Sequence, residues 1–332
     1  MSNGRLRAGA AALTRKLEPH ARRLAGESEK AAAIDLDDWL KPCFGAELDP
    51  VEARLTTDPD LPLSVFSGLS DDLWALLSTR SYSAYPAILK ALPEVPDPAL
   101  QISWNGAEGV TLAAQSASFY SKVKARIRRY GEIPVEEASL LDFGCGWGRL
   151  LRLFGREVTP DRLFGCDPVE SILDTCREAG VRATLARSEF LPREIPFEEK
   201  FDAAYSFSVF THISEESHLT CLNAIHGSLK PGGLFFVTVR PPGYLRISAE
   251  SAPLLEQAGP DLAKAYEGPR YGFQPHASDE SHPQFDGTKM HYGEAVIGLD
   301  YIREKWDMFE LLDVTPQASD MYQVVVTLRR KD

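Results

Sequence analysis

Nine residues, Leu141-Asp142-Phe143-Gly144-Cys145-Gly146-Trp147-Gly148-Arg149, limit what this chain can fold into more than any other segment. An apolar run ends in an acid and opens onto three glycines at alternate positions. Glycine serves where the backbone must bend sharply and a ligand must touch main chain. In a doubly wound sheet, the first strand-to-helix turn lies at the carboxyl ends of the strands, where ligands bind. Asp167 follows Gly148 by nineteen residues and ends the apolar run Leu163–Cys166. An acid there can accept both hydroxyls of a ribose, or it can cap the helix expected from Glu170. The dinucleotide fingerprint G-x-G-x-x-G fails, because Arg149 stands at its last glycine position. One adenosine carrying an amino-acid tail therefore fits better than a dinucleotide.

Around this loop the sequence alternates between two rhythms. Strand-like runs at Leu140–Phe143, Leu163–Cys166, Val181–Leu185, Ala203–Phe207 and Leu234–Val239 are separated by helical patterns at Arg149–Arg156, Glu170–Ala179 and Glu215–Leu229. Near-continuous apolar strands alternating with helices imply a mostly parallel sheet covered on both faces. Phe309–Val314 and Tyr322–Leu328 then predict an antiparallel finish. The fold class is α/β, a Rossmann-like doubly wound sheet with a terminal antiparallel strand. A long helix over Glu108–Arg129 precedes it, with Leu112, Phe119, Val123 and Ile127 on one stripe and Gly131 and Pro134 as its stop. Residues 1–100 read as a basic arm and a helical segment. Residues 101–242 and 296–332 read as the sheet domain. Residues 243–295, aromatic and without period, read as an inserted substrate lid.

The segment Leu140 to Leu151 resembles motif I of class I S-adenosylmethionine-dependent methyltransferases. Phe164-Gly165-Cys166-Asp167 resembles that family's ribose-binding strand, Phe201–Ser206 its fourth-strand motif, and Leu229-Lys230-Pro231-Gly232-Gly233 the turn before its fifth strand. Ser208-Val209-Phe210-Thr211-His212-Ile213 is similar to a variant common in bacterial small-molecule and glycan-cluster methyltransferases. The motifs arrive in family order over roughly residues 135 to 240, and the final strand pair extends the likeness to about 330. Residues 1–100 and 243–295 lie outside it. The resemblance implies S-adenosylmethionine as cofactor. Gly144, Cys145, Gly146 and Gly148 would admit its methionine part, with Asp142 near the amino group. Asp167 and Pro168 would meet the ribose, and Ser188, Glu189 and Phe190 the adenine, although the family often has Asp at Ser188 or Glu189. Phe207 and Ser208 would floor the sulfonium. Phe119, Tyr120 and Lys124 would close over the cofactor, or Phe119 would simply pack in the core.

The methyl group of such a cofactor is already activated, so the protein aligns the reactants and excludes water. A base is needed only where the acceptor must lose a proton. His276, His282 and His291 fall within sixteen residues, interleaved with Tyr266, Tyr271, Phe273, Phe285 and Tyr292. His291 is the preferred base and His212 the alternative. Tyr271, His276, His282 and Tyr292 are the lid residues expected over the acceptor. The bland readings are a helix cap for His212 and solvated loop positions for the others. The spacing of His276, Asp279, His282 and Asp286 matches no closed zinc pattern, and no metal is expected. Arg126, Arg128 and Arg129 read as a solvated helix end.

Composition bears on partners and compartment. Net charge is −12, but the first thirty residues carry +4 and the remainder −16. A body this acidic argues against a nucleic-acid partner. Apolar runs such as Leu234–Val237 fall far short of the ~20 residues needed to span a bilayer. The N-terminus lacks a secretory apolar core. Five cysteines (Cys43, Cys145, Cys166, Cys176, Cys221) without a C-x-x-C pair fit a reducing compartment, so a cytoplasmic protein is expected, and the resemblance implies a bacterial one. Leu6, Ala10, Leu13 and Leu17 form a stripe broken at Pro19, a candidate homodimer contact. The expected activity is O-methylation of a small-molecule or glycan-type acceptor. The rival readings are a methyltransferase-like binding or scaffold protein without turnover, and a nucleotide-binding oxidoreductase. Arg149 and the final antiparallel pair disfavour the latter.

Overall fold

The structure is a computed structural model that describes residues 35–243, 271–277, 280, 282–317, 319–320 and 323–332. The basic arm, Tyr266, Asp279, Tyr322 and the first half of the expected lid lie outside the described residues. The chain divides into two compact units, Met1–Ala117 and Ser118–Asp332.

The first unit is helical, with α1 (Leu36–Thr57), α2 (Asp71–Thr79), α3 (Pro86–Ala91) and α4 (Pro98–Asn105). Carboxylates hold it together at helix ends, where amides lack intrahelical partners. Asp35 accepts from Asp37 N at the start of α1, and Ser70 Oγ accepts from Leu73 N at the start of α2. Glu52 of α1 accepts from Ala87 N and Ile88 N at 2.9 Å each, which covers the free end of α3. Trp74, Phe66 and Leu40 are fully buried beneath these contacts. Helix α5 (Gly109–Tyr130) matches the expected long helix and crosses the division between the units.

The second unit is built on a seven-stranded sheet. Its strands are β1 (Leu140–Phe143), β2 (Leu163–Asp167), β3 (Thr184–Arg187), β4 (Phe201–Ser206), β5 (Leu229–Val239), β8 (Phe309–Pro316) and β9 (Val324–Arg330). Spatial order is β3-β2-β1-β4-β5-β9-β8. The first five strands are parallel, and β9 is antiparallel to both β5 and β8. The chain reverses its direction of winding between β1 and β4, which opens a crevice at their carboxyl ends. The flanking helices are α6 (Leu151–Phe154), α7 (Glu170–Glu178), α8 (Glu215–Ser228) and α9 (Leu299–Lys305). The mostly parallel Rossmann-like sheet with an antiparallel finish is therefore present.

Several elements depart from the sequence reading. The third strand starts at Thr184 rather than Val181, because Val181 belongs to the closure of α7. Gly180 takes a left-handed φ of 78°, its N–H bonds Arg177 O at 3.0 Å, and Val181 N bonds Cys176 O at 3.3 Å. That pair of bonds is a Schellman ending. The helix after the glycine loop is shorter than Arg149–Arg156, because residues 147–150 remain in the turn. The fifth strand begins at Leu229, which pairs with Phe201 before the register shifts to Ala203↔Leu234. The lid is less irregular than its composition suggested. Its described half holds β6 (Tyr271–Pro275) and β7 (Gly293–Ile297), paired antiparallel. Among the described residues, no helix is long and apolar enough to cross a membrane.

Candidate active site

The turn after β1 is shaped by its glycines. Gly144, Gly146 and Gly148 all have positive φ, at 77°, 52° and 82°. A Cβ on Gly144 would stand 2.3 Å from Val209 Cγ2, so the loop presses on the segment that follows β4. A Cβ on Gly148 would stand 2.6 Å from Cys176 Sγ. Gly144 N and Cys145 N both donate to Cys166 O, at 2.8 and 3.0 Å, which ties the turn to β2. The Cys145 thiol is buried, and burial holds its pKa well above the usual range; it fills space behind the loop.

Asp167 ends β2 against this loop. Its Oδ2 accepts from Gly146 N at 3.1 Å and its Oδ1 from Val169 N at 3.0 Å. The cap position of α7 is Val169, so Asp167 is not the helix cap. A carboxylate offers about four lone-pair positions, and two backbone amides leave room for two further donors. Burial raises its pKa to about 6 against the pull of those amides. Asp142 is buried one strand away. Burial holds its carboxyl well above the usual range, Arg149 opposes that, and Asp167 reinforces it. The Arg149 guanidinium lies 4.4 Å over the Phe207 ring, and burial lowers its pKa to about 10.

Three buried polar atoms around the loop have no hydrogen-bond partner among the described residues: Arg149 Nη1, Ser188 Oγ and Gln323 Oε1. Leaving such atoms unpaired costs about 1–3 kcal/mol each, so they suit a polar ligand. Ser188 follows β3 and its N–H bonds Asp167 O at 3.2 Å. Glu189 is exposed and Phe190 half-buried; Pro168 O accepts from Arg187 Nε at 3.2 Å. Phe207 packs edge-on to Phe119 at 4.9 Å. Ser208 holds a left-handed φ of 63°, which strains a residue with a side chain. Its N–H donates to Thr238 Oγ1 at 2.7 Å, and its Oγ lies 3.3 Å from Thr211 Oγ1 and from Gln323 Nε2.

The strand pair β6–β7 lies over the outlets of β4 and β5. Gly293 N bonds His212 O, Ala295 N bonds Thr211 O and Ile297 N bonds Arg240 O. Tyr271 OH donates to Ile213 O at 2.7 Å. The Tyr292 ring stacks between His212 at 5.5 Å and His282 at 5.3 Å, with His276 edge-on at 5.2 Å. Burial pushes the Tyr292 phenol up to about 12, with Glu294 adding to it.

The two histidines expected to act as base are bound elsewhere. His291 is 2% exposed at its side chain; Nδ1 lies 2.8 Å from Ser214 Oγ and Nε2 lies 3.0 Å from Asp286 Oδ2. His212 Nδ1 lies 3.0 Å from Gly293 O, so it carries the proton, and Nε2 faces Arg240 Nη2 at 3.2 Å. Burial and then Arg240 lower its pKa to about 4. These bonds leave neither ring a nitrogen for an acceptor proton. His282 Nδ1 accepts from Gln284 N at 3.1 Å. Among the described residues, no group of three or more His, Cys, Asp or Glu is placed to hold a metal. Glu294, Arg240, Gln323 and Asp320, which reading the sequence did not single out, complete the surroundings.

Residues 140–233 match the family model described as a methyltransferase domain. That stretch of the chain is similar to a methyltransferase domain. The motifs whose resemblance implies S-adenosylmethionine lie inside or around that match. No curated protein matches the chain. Among solved structures, a glycopeptide N-methyltransferase complexed with sinefungin shares 16% identity at a TM-score of 0.41, over 63% of this chain and 93% of that one. Magnesium protoporphyrin IX methyltransferase from Synechocystis PCC 6803 shares 13% at 0.44, over 67% and 86%. An S-adenosylmethionine-dependent methyltransferase from Mesorhizobium loti shares 17% at 0.43, over 65% and 100%.

Proposed function

We propose that the methyltransferase domain carries methyl groups from S-adenosylmethionine to the oxygen of a small-molecule or glycan-type acceptor. The observation that carries the donor assignment is Asp167, a buried carboxylate fixed by Gly146 N and Val169 N beside a loop of positive-φ glycines. The unpaired Arg149 Nη1, Ser188 Oγ and Gln323 Oε1 fit the same donor, which brings a carboxylate, a ribose and an adenine to be satisfied. When bound, S-adenosylmethionine supplies a sulfonium methyl whose C–S electron pair stays with sulfur on transfer.

The chain's own residues do the rest. Gly144, Gly146 and Gly148 let main chain approach the methionine part, and Asp142 meets its amino group. Asp167 accepts from the ribose hydroxyls, and Ser188 and Phe190 flank the adenine. Phe207 and Ser208 line the methyl side, and the β6–β7 cover keeps water from it.

S-adenosylhomocysteine binding in titration calorimetry tests the reading. Asp167→Ala should weaken binding by about 10- to 100-fold, the loss of two hydrogen bonds to a charged acceptor. The wild-type affinity should fall as pH drops through about 6, because protonated Asp167 loses acceptor capacity. Asp167→Asn should remove that pH dependence. Absence of binding by the intact chain would overturn the reading.

A further inference from the structure

Among the described residues, Ser208 is the one other than glycine whose backbone is left-handed, at a φ of 63°. A side chain is strained there, and such a residue persists only where its surroundings over-determine it. Three partners hold it. Thr238 of β5, wholly buried, accepts from Ser208 N–H at 2.7 Å. Gln323 donates from Nε2 to Ser208 Oγ at 3.3 Å, and Thr211 Oγ1 lies at the same distance from that oxygen. Gln323 can reach it because β9 runs antiparallel to β5 with Val324 opposite Val239, which brings the residue before β9 to the carboxyl end of β5.

The residues on either side of Ser208 both meet the glycine loop. Phe207, before it, has the Arg149 guanidinium 4.4 Å over its ring. Val209, after it, occupies the space beside Gly144, where an added Cβ would stand 2.3 Å from Val209 Cγ2. Rotation about the Ser208 backbone would move Phe207 relative to Val209, so the left-handed turn is what lets both contacts exist together. Arg149 is 5% exposed, and its Nη1 has no hydrogen-bond partner among the described residues. A buried guanidinium N–H left open suits a carboxylate oxygen.

We propose that Thr238 is a positioning residue for the donor: through Ser208 it keeps Phe207 beneath Arg149, and Arg149 Nη1 takes the carboxylate of the donor's amino-acid tail. This rests on the donor reading above. Thr238 acts only through the Ser208 amide, and Gln323 supplies a second tie to the same residue.

Two ligands separate the tail from the nucleoside. S-adenosylhomocysteine carries the amino-acid tail; 5′-methylthioadenosine carries the same adenosine and sulfur without it. In titration calorimetry of the intact protein, the first should bind about 10- to 100-fold tighter, through charge-assisted bonds to the tail. Arg149→Gln should erase most of that preference. Thr238→Val keeps the shape of the side chain and removes the oxygen that accepts from Ser208 N–H. It should weaken S-adenosylhomocysteine about 10-fold, the cost of holding a left-handed residue without that partner, and leave methylthioadenosine unchanged. Thr238→Ser returns the oxygen and should return the affinity. Ser208→Gly in the Thr238→Val background should also recover it, because glycine takes a positive φ without help. A purely structural Thr238 would weaken both ligands alike. Equal losses for the two ligands, no loss for either, or no recovery with glycine overturns the proposal while leaving the donor reading intact. Should Thr238→Val fail to fold, Arg149→Gln decides, and a preference that survives it overturns the proposal. Failure of both ligands to bind the wild-type protein overturns the donor reading and this proposal together.

Discussion

Single side chains in this protein are set apart by where their protons can go. His218 is wholly buried, and neither of its ring nitrogens has a hydrogen-bond partner among the described residues. It sits in an aromatic box, 4.9 Å from the rings of Phe210 and Trp306 and 5.6 Å from Tyr271. Burial lowers its pKa to about 3. A histidine kept neutral when folded takes up a proton only on unfolding, so its contribution is complete above the unfolded value near 6.5. That contribution is lost as pH falls from there toward 3. The expected slope is about 1.4 kcal/mol of stability per pH unit from this group. His218→Phe, which fits the same box, should flatten the acid limb of urea-unfolding stability by that amount between pH 6 and 4. An unchanged slope would place the acid sensitivity elsewhere. Asp167 has the opposite sign, since its raised folded value makes the folded state the better proton binder between about 4 and 6.

At the scale of elements, helix α8 depends on the residue that caps it and on the segment leading into β7 together. Ser214 Oγ accepts from Ser217 N at 3.3 Å as the helix cap and meets His291 Nδ1 at 2.8 Å. Ser214→Ala removes both and should cost about 1–3 kcal/mol in denaturant unfolding, with S-adenosylhomocysteine affinity unchanged. The strands β1, β2 and β4 were legible because burial on both faces leaves short, nearly pure apolar runs. Strand β3 was misplaced because its first expected residues serve the Gly180 helix ending. Strands β6 and β7 were not legible: Tyr271-Gly272-Phe273-Gln274-Pro275 mixes a glycine and a proline into five residues. The glycine turn after β1 and the carboxylate that ends β2 were readable as chain features, since each closes a short apolar run. The partnership of Arg240 with Glu294 spans 54 positions, and no local pattern announces it. The same distance effect hid the ties that bind His212 and His291.

For the whole molecule, the proposed donor site lies within one of the two units. The glycine loop, Asp167, Ser188, Ser208 and the β6–β7 cover all belong to Ser118–Asp332. S-adenosylhomocysteine at a hundred times its Kd should add about 2.7 kcal/mol to the folded state that holds it. For a unit of this size that corresponds to a Tm rise of about 5–11 °C in a thermal scan. Asp167→Ala, with its affinity lowered 10- to 100-fold, should cut the added stability to about 0.4–1.4 kcal/mol at the same ligand concentration and shrink the Tm rise in proportion. The strand β7 also sets where this protein's lineage is free to vary. Its alternate amides at Gly293, Ala295 and Ile297 are committed to His212, Thr211 and Arg240. Side chains along a strand alternate between faces, so slipping by one residue exchanges the two sets. An insertion or deletion within Gly293–Ile297 would therefore turn Glu294 away from Arg240 and His276. Length changes between His276 and Asp286 leave that register alone. Divergence in acceptor preference should accordingly accumulate as indels in that connection, while the strand after it stays fixed in length.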